Sequence, residues 1–194
     1  MDLNCVKIGF GISASFCTVL DIIKPMRELI EAGARVYPVL SNNVYTKGSR
    51  FHSRSKYLKE IEEITGEEII NTIAQAELFG PDNPMDVMLI APATGNTMAK
   101  LANGITDNAL IMAAKATLRN QKPVVLAPFT NDALSTSGIN IMRLYNSKNI
   151  YFVPFGQDAP HKKPNSMTAD LSKIKDTVIE ALKGKQIQPS IITF

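Results

Sequence analysis

The chain has 194 residues, 45% of them hydrophobic and 20% charged, which is enough for one sizeable core and close to the composition of an ordinary globular domain. Its formal net charge is +3 and it carries no dense Lys/Arg run, which argues against a nucleic-acid groove. No apolar run approaches the roughly 18 residues of a spanning helix, and no basic segment precedes the first apolar stretch, so neither a membrane span nor a signal peptide is expected.

In chain order, CVKIGFGI at 5–12 reads as a first strand. Gly9, Gly11, Ser13 and Ser15 follow at its end and lead into a helix predicted from Ser15 to Glu31. That helix carries Leu20, Ile23, Leu29 and Ile30 on one side, stops at Gly33, and is expected to kink or restart at Pro25. RVYPVL at 35–40 is a second strand, in which Pro38 argues for an edge position or a strand end. Residues 55–77 divide into two helical stretches at Gly66, the second with Thr65 and Glu68 at capping-box spacing. DVMLIAPA at 86–93 is a third strand that runs into Thr94, Gly95, Asn96 and Thr97 before another helical pattern. Thr106 or Asp107 is the expected cap of the helix containing Leu110, Ile111, Met112 and Leu118.

PVVLAPF at 123–129 and IYFVPF at 150–155 supply the fourth and fifth strands. After a polar loop at 156–167, Leu171, Ile174, Val178 and Leu182 form the stripe of a last helix, about 168–183, that ends at Gly184. The closing QIQPSIITF is apolar for a tail and is expected to pack on something, for which a neighbouring protomer is one choice. Cys5 and Cys17 have neither metal spacing nor a disulfide framework and read as buried, reduced thiols.

Near-continuous apolar strands separated by helices imply a parallel sheet covered on both faces. The expected fold is a single-domain, doubly wound, three-layer α/β structure of the Rossmann-like or flavodoxin-like kind, with its core at about residues 5–155. Ligands in such folds sit beyond the carboxyl ends of the strands. Those ends carry Gly11, Ser13 and Ser15, then Ser41, Asn42 and Asn43, then Thr94 to Thr97, then Thr130, Asn131 and Asp132. Together they make a neutral, donor-rich crevice suited to a ring with carbonyls and ring nitrogens, plus a phosphate. The first loop is not Gly-x-Gly-x-x-Gly, because Ala14 stands where a third glycine would be sought. No acidic residue follows the second strand to hold an adenosine ribose, so a mononucleotide fits better than a dinucleotide. Helix capping is the alternative reading of Ser13, Ser15, the Ser41–Asn43 segment and Thr97. No Ser-His-Asp set, His/Cys cluster or Walker-type lysine is present, so the chemistry is expected to come from a cofactor.

APATGNTMAKLANGITDNAL at 91–110 resembles the Pro-Ala-Ser-Ala-Asn-Thr segment of the FMN-binding flavoprotein family that includes the homo-oligomeric cysteine decarboxylases. GFGISAS at 9–15 looks like that family's phosphate loop, and APFTNDAL at 127–134 sits where the family has Pro-Ala-Met-Asn. The resemblance implies FMN as cofactor, with Thr94, Gly95, Asn96 and Thr97 around the flavin edge and Gly95 permitting close approach. It also implies Ala14, Ser15 and Phe16 near the phosphate, Ser13 supporting that loop, and Ser41 nearby. Thr130 and Asn131 would lie over the flavin face, Asn131 holding a substrate carboxylate. Lys162 and Lys163 are weaker candidates for carboxylate binding, with solvated loop charge as the alternative.

The family's catalytic histidine before strand three is missing from IAQAELFGPDNPMD at 73–86, and its cysteine-containing clasp near residue 160 is replaced by QDAPHKKP. Both departures argue against cysteine decarboxylation. His52 and His161 read as ordinary surface histidines. The segments LRNQKPVV and YFVPFGQD, beside the central motif, are similar to one branch of the family in particular. That likeness implies an oxidoreductase subunit of the mother-cell cytoplasm in a sporulating bacterium. It would act on a small dicarboxylate with a partner subunit that carries NADP or NAD, and would form a homo-oligomer, a trimer or a multiple of one. A binding or activating role with a vestigial flavin site is the alternative. A stand-alone FMN-dependent decarboxylase or flavin prenyltransferase is the weaker one.

Overall fold

Residues 3–14, 21–47, 54–81 and 83–194 are described by the computed structural model. Strand β1 (Lys7–Ile12) leads through α1 (Ile23–Glu31) to β2 (Arg35–Leu40), and α2 (Asn42–Lys47), α3 (Arg54–Thr65) and α4 (Ile73–Glu77) precede β3 (Val87–Ala93). Then come α5 (Gly95–Ala102), α6 (Ala109–Arg119), β4 (Val124–Thr130), α7 (Gly138–Tyr145) and β5 (Ile150–Phe152). The chain closes with β6 (Phe155–Gly156), β7 (Met167–Ala169), a 3₁₀ turn (Leu171–Lys173) and α8 (Ile174–Leu182).

β1 pairs in parallel with β2 on one side and with β3 on the other, β3 pairs with β4, and β4 with β5, as the apolar runs predict. Every residue of β3 is buried, which is why its sequence shows no polar alternation. β2 is an edge strand, consistent with Pro38, and its outer side is closed by a parallel bridge from Val39 to Ile70. The chain runs outward from β1 to β2 and then crosses back to β3. Right-handed crossovers therefore place α1 and α6 on opposite faces, and the winding reverses between β1 and β3. α6 lies against the sheet and α4, so Leu110, Ile111, Ala113 and Ala114 are all buried.

Several expected boundaries move. β1 extends to Ile12, so Gly9 and Gly11 lie inside the strand rather than in a phosphate loop. A Cβ on Gly11 would stand 2.7 Å from Met88 Cε and 3.1 Å from Leu110 Cδ1, so its role is to admit packing from β3 and α6. Pro25 falls in the first turn of α1, where its missing N–H costs no intrahelical bond, and it introduces no break there. Thr65 ends α3, and the capping box belongs to Thr72 and Gln75 at the start of α4. Asn108, rather than Thr106 or Asp107, caps α6.

The predicted fifth strand divides. Residues 150–152 continue the parallel sheet along β4, while β6 pairs with β7, which lies antiparallel against Phe129 and Thr130. The tail bonds to its own protomer, while Ile191 and Phe194 stay exposed. Gln186 makes two bonds to the Phe152 backbone (2.8 and 2.7 Å), Phe155 N–H donates to Ser190 O, and Tyr145 OH donates to Ser190 Oγ at 2.7 Å. Cys5 is exposed, because it sits on the turn before β1 rather than within the strand, and Cys17 lies outside the described residues. No helix among the described residues is long and apolar enough to cross a membrane.

Candidate functional site

The reversal of winding leaves the carboxyl ends of β1 and β3 side by side with a crevice above them, the place where doubly wound sheets bind ligands. Regular pairing of β3 with β4 shifts between Ile90 and Ala93, so backbone groups there need other partners. Ser13 provides one. Its buried hydroxyl donates to the Pro92 carbonyl at 2.7 Å and accepts from Thr94 N–H at 3.0 Å, tying the two strand ends together. Ser13 thus supports the turn from β3 into α5.

Thr94 then caps α5 with extended backbone (φ −76°, ψ 159°). Its hydroxyl accepts from Thr97 N–H at 3.4 Å and lies 3.0 Å from the Thr97 hydroxyl. The cap is therefore Thr94, and Thr97 occupies the first turn with its side chain buried against it. At Gly95 a Cβ would be 2.5 Å from Ser137 Oγ, 2.8 Å from Thr130 Oγ1 and 3.1 Å from Asp132 Oδ1. Glycine is required here so that α5 can close on the turn after β4.

Above these residues is a cavity of about 480 Å³, within the range of small-molecule sites. Ser13 and Ala14 line it from the end of β1, and Ser41, Asn42 and Asn43 from the end of β2. Thr94, Asn96 and Thr97 form the α5 wall, and Lys100, Asp107 and Asn108 complete it. Hydroxyls and amides dominate, as the strand-end residues predict. Ser41 Oγ is buried and has no hydrogen-bond partner, the one such side-chain atom among the described residues. An unsatisfied buried hydroxyl on a residue that lines a polar cavity fits a ligand that brings the missing partner.

Lys100 and Asp107 are contributions that the sequence alone does not announce. Lys100 is three residues after Thr97 and four after Asn96, so helical spacing puts it on the cavity face of α5. Its Nζ donates to Asp107 Oδ2 at 2.5 Å. That hydrogen bond is the main reason the Asp107 carboxyl is held below the ordinary carboxylate range, with the lysine charge and the Asn108 amide adding to it.

Other expected site residues lie elsewhere. Thr130 and Asn131 do not line the cavity. Thr130 donates to the Asp132 carboxylate beside Gly95, and Asn131 is exposed at the end of β4 with its Oδ1 accepting from the buried Ser166 hydroxyl at 3.4 Å. Lys162, Lys163 and His161 are exposed in the loop before β7, where Lys163 pairs with Asp158 at 3.5 Å. Ser15, Phe16 and His52 lie outside the described residues. No group of three or more His, Cys, Asp or Glu side chains that could hold a metal ion occurs among the described residues.

A parallel doubly wound sheet with a neutral, hydroxyl- and amide-lined crevice at its switch point is an architecture of nucleotide-cofactor-binding proteins. The chain belongs to the flavoprotein family, whose model matches residues 1–183. It is 49% identical over 186 residues to the B subunit of dipicolinate synthase from Bacillus subtilis, covering 96% of this chain and 93% of that protein. The crystal structure of the corresponding B subunit from Bacillus halodurans superposes with a TM-score of 0.92 at 47% identity, over 100% of this chain and 99% of that one. An FMN-dependent cysteine decarboxylase, SpaF, shares the fold at a TM-score of 0.67 and 22% identity, over 92% of this chain and 98% of that one.

Proposed function

We propose that this chain is the B subunit of a dipicolinate synthase that binds FMN in the β1/β3 crevice. It acts with the synthase's nicotinamide-binding A subunit in the mother-cell cytoplasm of a spore-forming bacterium. The reaction removes two hydrogens from dihydrodipicolinate to give the aromatic dicarboxylate dipicolinate; NADP or NAD on the partner takes up a hydride and one proton is released. The observation that carries the flavin reading is the crevice itself, with its cross-tied loop, donor-rich walls and the unpartnered Ser41 hydroxyl. The synthase reading rests on likeness to the two Bacillus proteins along almost the whole of each chain.

When bound, FMN supplies a two-electron acceptor and donor. The chain's residues bind and orient. Thr94, Gly95, Asn96 and Thr97 present hydroxyl, amide and helix N-terminal donors to the polar rim of the ring, and Ser41 supplies a hydroxyl from the opposite wall. By the family resemblance, Ala14, Ser15 and Phe16 are assigned to the phosphate end, and of these Ala14 lines the cavity. Asn131 is the candidate for a substrate carboxylate. With Oδ1 engaged by Ser166, its Nδ2 protons are left to donate outward. Lys162 and Lys163 stand as weaker partners for the dicarboxylate.

One observation favours a second reading, in which the chain binds and activates its partner without a redox step of its own. Among the described residues that line the cavity, the titratable ones are Lys100 and Asp107, and these are paired with each other. The visible absorption spectrum of purified protein, recorded after loading with FMN and removing the excess, separates the two. Retained flavin that is bleached by NADPH in the presence of the nicotinamide-binding partner supports a redox role. Failure to retain flavin removes the first reading and leaves the second. Ser41→Ala sharpens the test, because removing an unpartnered hydroxyl leaves the melting temperature unchanged while weakening FMN by roughly 3- to 10-fold.

A further inference from the structure

The charge lining the cavity is concentrated at one point. Lys100 and Asp107 are its charged lining residues among those described, and they face each other at 2.5 Å. The carboxylate is itself fixed. Asp107 Oδ1 accepts from Asn108 Nδ2 at 2.7 Å, and Asn108 Oδ1 accepts from Ile111 N–H at 3.1 Å as the cap of α6. The lysine side chain is 25% exposed and the aspartate 47%, so the ammonium is the more enclosed partner. A lysine held in this way leaves the cavity electrically neutral, although one end of the proposed ligand carries a doubly charged phosphate.

We infer that the Lys100–Asp107 pair sets the charge selectivity of the cavity: Lys100, which lines the same cavity as Ala14 of the proposed phosphate end, is the cation that meets a phosphate monoester, and Asp107, clamped by Asn108, opposes it. The inference rests on the flavin reading above. An ammonium has three donors and Asp107 takes one, so Lys100 can serve a phosphate while the pair persists. The two charges then act with opposite signs on the same ligand. Without Lys100, the phosphate meets Asp107 unscreened. Without the Asp107 charge, Lys100 is wholly available. A neutral ligand with the same ring and ribityl chain feels neither change to first order.

FMN and riboflavin form that pair of probes, and quenching of flavin fluorescence on titration with the full-length protein gives both affinities. Lys100→Met is expected to weaken FMN by roughly 10- to 100-fold while changing riboflavin by no more than about 2-fold. Asp107→Asn is expected to tighten FMN by roughly 3-fold, again with little effect on riboflavin, and the gain should shrink as salt is added. Lys100→Arg, which keeps the charge, should retain FMN affinity to within about 3-fold, separating charge from packing. Equal losses for FMN and riboflavin in Lys100→Met, or weaker FMN binding in Asp107→Asn, would overturn the inference. Wild-type protein that binds FMN no better than riboflavin would overturn it as well, with the flavin reading intact. Wild-type protein that binds neither would remove the flavin reading and the inference together.

Discussion

Gly95 joins the first turn of α5 to the turn after β4. Thr130, Asp132 and Ser137 occupy the space where its Cβ would point, and they are not free to give way: Thr130 is hydrogen-bonded to Asp132, and Ser137 is buried with its N–H on the Asp132 carbonyl. Alanine gains up to about 1 kcal/mol of helix propensity over glycine, whereas overpacking a tight site costs about 1–3 kcal/mol. Gly95→Ala is therefore expected to lower the unfolding free energy by about 1–2 kcal/mol in urea denaturation, and Ser137→Gly in the same chain should recover part of the loss. An unchanged midpoint would show that the cluster yields and that the glycine is dispensable for the fold. From sequence, close approach at this glycine is expected only through the family resemblance, and toward the flavin. The contact with Ser137 is not legible there, because Ser137 comes from a distant turn that only tertiary structure brings near. Ser41 poses the converse case: its position after β2 is legible from sequence, but its lack of a hydrogen-bond partner is a property of the assembled cavity.

Among the elements, the long buried strands were legible and the helix starts were not. Strands such as β3 and β4 are enclosed on both faces and so declare themselves by unbroken apolar runs. β6 and β7, of two and three residues, have no period to read, and the edge of β4 decides that they form. Capping is ambiguous wherever competent residues cluster. Thr106, Asp107 and Asn108 could each start α6, but Asp107 is drawn to Lys100, while Asn108 adopts extended backbone (φ −154°, ψ 166°) and accepts from Ile111 N–H. Asn108→Ala should accordingly cost about 1 kcal/mol, whereas Thr106→Ala should change stability by less than about 0.5 kcal/mol. Equilibrium denaturation of the two variants checks the order, and a larger loss at Thr106 would show the cap to be misassigned. Because Asn108 also holds Asp107, its replacement bears on the cavity rim as well as on the helix.

At the scale of the whole molecule, the apolar surface is unevenly placed. α6 is consumed by the interior. The outward face of α7 and the turn before it instead expose Leu134, Ile139, Met142 and Tyr145, with Ile139 68% exposed. Large side chains clustered in this way mark an association surface more often than a free one. α7 is tied to the far end of α5 through Asn103, which donates to Asn140 at 3.2 Å and accepts from Arg143 at 2.8 Å. Contact through α7 would thus bear on the helix whose first turn forms the crevice. Wild-type protein is expected to sediment as a homo-oligomer, a multiple of the 21.2 kDa chain, and Ile139→Asp with Met142→Lys is expected to reduce it to that single mass without loss of secondary structure. If the dissociated variant also binds FMN more weakly, assembly and the site are coupled; if its affinity is unchanged, α7 mediates assembly alone. Wild-type protein that remains monomeric at micromolar concentration would refute association through this face. The exposed α7 side chains would then be tested against a different chain, the proposed nicotinamide-binding partner first.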